Sequence, residues 1–161
     1  MQGTTHVAIG FLTGAVVSAA FHVPLYLETG AVLTVACVGS LLPDVDTPAS
    51  KMSRSLKWMG KPFRLFAHRG LTHSLLAVIV LALIMVFLQV QTVHAVAFLL
   101  GYLSHLAADS VTKSGIRLWW PSQKRFRLIP KKLTITTGGI LDWLIGIGSI
   151  FMAIVVLIEF R

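Results

Sequence analysis

Gly101-Tyr-Leu-Ser-His-Leu-Ala-Ala-Asp109 is apolar on most sides, yet it carries a histidine and a carboxylate four residues apart. Four residues is just over one helical turn, so His105 and Asp109 project from the same face of a helix. Such groups are costly in lipid unless they face a protein interior or a ligand. The pair reads as half of a metal site, with the other half expected from Asp44, Asp46, His68 and His73.

The surrounding composition supports a membrane setting. Of the 161 residues, 55% are hydrophobic and 12% charged, and the mean hydropathy is +0.80. A soluble domain carries about twice that share of charge. Apolar runs of spanning length point to a polytopic membrane protein. The expected fold is all-α, a single membrane-embedded domain over 1–161 with about five transmembrane helices. These cover about Val7–Val23, Leu27–Leu42, Ser74–Val90, His94–Val111 and Gly138–Phe160. The first lacks a positive flank before it and is read as a retained helix rather than a leader. Its Gly10, Gly14, Ala15, Ser18 and Ala19 offer a small-residue surface for close helix packing.

Charge is distributed by loop. The net charge is +8, but nearly all Lys and Arg lie in two stretches, about 44–73 and 112–137. That pattern fits the positive-inside rule and argues against nucleic-acid binding. It places both loops and the N-terminus in the cytoplasm of a bacterial-type inner membrane. Cys37 is the only cysteine, which excludes an intramolecular disulfide and a thiolate cluster.

The first loop carries Met52, Leu56, Met59, Phe63 and Phe66 at intervals of three and four, with a separate basic series. It reads as an interfacial amphipathic helix. In the second, Ile116, Leu118 and Trp120 alternate with Arg117 and Trp119, and Pro121-Ser-Gln-Lys124 supplies a turn. A small β-hairpin at the cytoplasmic surface is expected.

The same topology gathers the ligand-type residues on one side. Asp44 and Asp46, two apart in an extended segment, would converge on one centre and repel unless a cation joined them. His68 and His73 flank a turn at Gly70, with Thr72 or Ser74 capping the third span. His6 and Asp142 enter at the same surface, each as a ligand or as support for one. His22 and His94 fall on the other side and are excluded. The bland readings are a solvated loop, interfacial histidines and a helix-packing hydrogen bond. The set His6, Asp44, Asp46, His68, His73, His105 and Asp109 contains only oxygen and imidazole donors. These suit zinc, as one or two ions, with manganese or iron as alternatives.

Leu42-Pro-Asp-Val-Asp46, His68-Arg-Gly-Leu-Thr-His-Ser74, the stretch quoted above and Trp119-Trp-Pro121 together resemble the YdjM-like family of inner-membrane, metal-dependent hydrolases, also described as LexA-binding. Thr5-His6 and Thr137-Gly-Gly139 match as well. The family commonly has Glu after the Gly-Gly, whereas the nearest carboxylate here is Asp142. The resemblance implies a hydrolase. The catalytic residues would be Asp46, His73 and Arg69, with Lys113 or Arg117 helping to neutralise phosphate. The expected substrate is a phosphoester in an anionic lipid or lipid-linked molecule at the cytoplasmic leaflet. The alternative is a non-enzymatic membrane protein, either a metal-ion carrier or a regulatory partner of a cytoplasmic protein.

Overall fold

The computed structural model describes residues 1–24, 26–46 and 70–160, with Asp46 described by its backbone alone. The amphipathic segment, His68, Arg69 and the Asp46 side chain lie outside the described residues. Five α-helices are present among those described: α1 (Gly3–Ala20), α2 (Leu27–Leu41), α3 (Leu75–Phe87), α4 (Thr92–Ser110) and α5 (Ile140–Glu159).

Three segments are long and apolar enough to cross a membrane: Gly3–Ala20, Leu27–Val45 and Ile140–Glu159. α3 is apolar but has only 13 residues. α4 has 19 residues and is diluted by Tyr102, Ser104, His105, Asp109 and Ser110. It is the helix that carries the polar groups, and its inward face is buried.

Small residues set how closely the helices cross. Gly10 of α1 packs against Ser40, and Gly14 against Leu33 and Ala36. On α2 and α4 the approach is closer still. A Cβ at Gly39 would strike the carbonyl oxygen of Phe98, and one at Gly101 the carbonyl oxygen of Ala36. Neither carbonyl can move without its helix, so these positions exclude any side chain. Val17, Val32, Ala36 and Ala97 fill the seam between the three helices.

Ser74 caps α3 by accepting a hydrogen bond from Ala77 N at 3.3 Å, as the sequence suggested. Two other expectations are corrected. Leu42–Asp46 is a 3-10 helix rather than an extended segment. Whether Asp44 and Asp46 converge on one centre turns on the Asp46 side chain, which lies outside the described residues. The expected hairpin is also absent: among the described residues there is no strand, only isolated bridges. Ile116 and Phe126 do exchange backbone hydrogen bonds at 3.1 and 2.8 Å. The flanking backbone bonds elsewhere. Leu128 N donates to Ser110 O, Ile135 N to Val111 O, and Leu75 N to Leu118 O. Alternating apolar residues here mark a chain that covers the carbonyl end of α4. Ile116 is buried beside Tyr102 and Leu106 and pins that cover in place.

Candidate metal centre

Four chain segments bring ligand-type side chains to one end of the bundle. α1 supplies His6 from its first turns, the 3-10 helix after α2 supplies Asp44, the turn before α3 supplies His73, and α4 supplies His105 and Asp109. His6, His73, His105 and Asp109 are at most 1% exposed, whereas the Asp44 side chain is 16% exposed. The cluster therefore has a single wetter side, at Asp44.

The nitrogens are arranged for a cation. His105 Nδ1 lies 2.7 Å from the Ser40 carbonyl oxygen. A carbonyl only accepts, so Nδ1 carries the proton and neutral His105 presents a lone pair at Nε2. That Nε2 is 3.4 Å from His73 Nε2. Asp44 Oδ1 lies 3.8 Å from His73 Nε2 and 3.9 Å from His105 Nε2. Asp109 Oδ2 lies 3.9 Å from both. A tetrahedral ion with ligand bonds of about 2.0–2.2 Å has ligand–ligand edges of about 3.3–3.6 Å. The observed spacings are within a few tenths of that, so small side-chain rotations would close the site.

His6 stacks on His105 with ring centroids 3.8 Å apart, and its Nε2 is 3.2 Å from Asp109 Oδ1. His6 Nδ1 has no hydrogen-bond partner among the described residues, and Nε2 has only the contact with Asp109. A buried imidazole left so is costly in an apolar bundle, and a cation at this point would relieve it. The Met1 amine also pairs with Asp109 Oδ1, which marks the carboxylate as a cation-seeking group.

Two ligand triads are formed, His6–Asp44–His105 and His73–His105–Asp109. They share His105. With its Nδ1 bound to Ser40, His105 has one lone pair, and one lone pair serves one ion. The described residues could hold a cation with five candidate donors, from which a tetrahedral ion would take three or four.

Two supports were not singled out from sequence. Ser40 fixes the His105 tautomer through its carbonyl, which the tight α2–α4 crossing brings within reach. Tyr102 donates its hydroxyl to the carbonyl of Thr72, and the Thr72 hydroxyl lies 3.1 Å from His73 Nδ1. Tyr102 stands one turn before His105 on the same helix, and that spacing was the available signal.

Asp142 takes a different place from the ligands. Its Oδ2 accepts from Gln2 N at 3.0 Å and from Gly138 N at 2.8 Å. It lies in the first turn of α5 and belongs to neither triad. It ties the start of α1 to the start of α5, and so holds the helix that carries His6. His22 and His94 stand at the opposite end of the bundle, around a separate cavity.

The chain was compared with known proteins. The YdjM inner membrane protein family matches residues 1–160. The chain is 45% identical over 107 residues to the inner membrane protein YdjM of Escherichia coli (strain K12), which is 60% of this chain and 54% of that protein. The Shigella flexneri YdjM matches equally. The chain thus spans about half the length of these curated relatives. It is also 32% identical over 152 residues to the uncharacterized protein YvsG of Bacillus subtilis (strain 168), covering 92% of this chain and 89% of that one. No solved structure matches. A match that runs nearly end to end, and takes in every segment of the buried cluster, places this chain in the YdjM inner membrane protein family.

Proposed function

We propose that the protein is a membrane-embedded, metal-dependent hydrolase acting on a phosphoester of a lipid or lipid-linked substrate. One observation carries the reading. The Nε2 atoms of His73 and His105 face each other at 3.4 Å, with an oxygen of Asp44 and one of Asp109 within 3.9 Å of both. Zinc suits these donors best, with manganese and iron next. Such an ion supplies Lewis acidity that activates water and polarises a phosphoryl oxygen.

The chain's own residues do the rest. Asp44 and Asp109 balance the charge of the cation. Ser40 and Tyr102 hold His105 and His73 in orientation, as outer partners of metal ligands commonly do. Burial of His6, His73, His105 and Asp109 keeps bulk water from all but the Asp44 side. The seven Lys and Arg of the cover over α4 lie at the same end and favour an anionic substrate. Arg125 and Arg127 are used in part internally, donating to Ser114 O and Lys113 O. Lys113 and Arg117 are the better candidates for phosphate, together with Arg69. His73 serves as a ligand through Nε2, and Asp46 is the proposed proton-handling group.

The orientation follows from the same charges. With Lys and Arg concentrated at the cluster end, that end and the N-terminus face the cytoplasm, and the helices pass the membrane several times. A lipid substrate would reach the Asp44 side from the cytoplasmic leaflet.

Zinc-loaded protein should release phosphate or a phosphorylated headgroup from at least one member of a panel of phospholipids and lipid phosphates. Asp109→Asn should abolish the release. A fully metal-loaded wild type that cleaves none of the panel, or an Asp109→Asn variant as active as wild type, would contradict the proposal.

A further inference from the structure

The end of the bundle away from the cation pocket holds a cavity of about 520 Å³. Its polar lining is His22, Glu28, Gln91, Thr92 and His94, and Phe21 is among its apolar walls. The size lies within the roughly 300–1,000 Å³ usual for small-molecule sites. The cavity sits where α1 ends and α2 and α4 begin, at the level where a spanning bundle meets lipid headgroups.

The backbone around it is held in an unusual way. α1 ends at Phe21 with two closing bonds, His22 N to Ala19 O at 3.1 Å and Val23 N to Ser18 O at 2.9 Å. This is the pattern in which glycine ordinarily takes the left-handed position. Here the position is His22, with φ 49°. Tyr26, just before α2, has φ 97°. A non-glycine residue in that region costs of order 1 kcal/mol or more, and such positions cluster at ligand clamps. Glycine would close the helix more cheaply, so the fold does not explain the imidazole.

The charges select the ligand. Neither connection at this end contains Lys or Arg, so among the described residues a ligand of net negative charge meets no Lys or Arg counter-ion here. Glu28 offers a carboxylate, and the carbonyl end of α1 adds partial negative charge. His94 and Thr92 offer donors at the start of α4, whose N-cap Gln91 makes no side-chain capping bond, and His22 offers another just after the end of α1. A neutral ligand with an ammonium at one end and a phosphate at the other satisfies both sides. A carboxylate bonds a primary ammonium directly but only approaches a quaternary one.

We propose that this cavity binds the headgroup of an ethanolamine phospholipid from the leaflet opposite the cation pocket. The apolar lining takes the start of the acyl chains. The lipid is held as a bound partner, and the proposal stands independently of any hydrolytic activity.

Native mass spectrometry of the full-length protein tests this after reconstitution in equal mixtures of ethanolamine, choline and glycerol phospholipids. Wild type should retain the ethanolamine lipid about ten-fold over each of the others, as one charge-assisted hydrogen bond would give. Glu28→Gln should bring the preference near parity. His22→Gly should weaken retention while leaving the helix end intact or firmer, since glycine suits that backbone. Equal retention of the three lipids by wild type would overturn the proposal, as would a preference that survives both substitutions. Preference for the glycerol lipid would overturn it too, because it would assign an anion to the cavity.

Discussion

His105→Ala should leave the purified protein unable to hold zinc through dialysis. The loss in affinity should exceed the about 10–100-fold seen when only an outer-shell partner is removed. The reason is that His105 is common to both ligand triads and presents the one nitrogen lone pair on which they meet. The substitution also removes the bond to the Ser40 carbonyl, worth about 1 kcal/mol, so the helices should remain assembled. Metal content, measured by elemental analysis beside circular dichroism, separates loss of the site from loss of the fold. His94→Ala serves as the control. It stands at the opposite end and should keep a full complement of metal.

Gly101→Ala should be, with Gly39→Ala, among the most damaging single-methyl changes in the bundle. The added Cβ falls on the carbonyl oxygen of Ala36 in the facing helix, and only a shift of α2 away from α4 makes room. Overpacking of this kind costs typically about 1–3 kcal/mol, and contact with backbone places it at or above the upper end. The consequence reaches the site, because the same crossing brings Ser40 O to His105 Nδ1. A lower thermal midpoint in detergent should therefore come with weaker zinc retention. Gly148→Ala is the matched control, since nothing lies within 4 Å of its added Cβ. It should be neutral or stabilising by up to about 1 kcal/mol, as expected for Ala over Gly in a helix. Equal midpoints for the two variants would show that the α2–α4 contact is looser than described.

The ligand cluster was readable in the sequence because lipid makes polar groups conspicuous. His105 and Asp109 share a helix face by spacing alone, and the two basic stretches sort Asp44, His73 and His6 to the same end. The small-residue surface of α1 was readable for a similar reason, since Gly10 and Gly14 meet α2 directly. Other features depended on contacts that no local pattern encodes. The backbone at Leu42–Asp46 is a 3-10 helix although the spacing of its carboxylates suggested an extended segment. The alternation around Ile116 and Trp119 suits an extended chain equally well whether it pairs with itself or with a helix end. Here, among the described residues, it pairs with the later chain only at Ile116 and Phe126, and Leu118 O accepts from Leu75 N at the start of α3. Asp142, a carboxylate at the same surface, read equally as a ligand or as support for one. Its partners are the backbone N–H groups of Gln2 and Gly138. Ser40 acts through a carbonyl, which every residue has, so its identity gave no signal.

The histidines and aspartates clustered at one end of the bundle could hold a cation. The most direct measurement is zinc X-ray absorption and metal stoichiometry on wild-type protein stripped with chelator and then reloaded. The expected result is near-stoichiometric zinc with nitrogen and oxygen neighbours, imidazole among them, and no sulfur. Zinc that washes away, or a spectrum without imidazole scattering, would contradict the account.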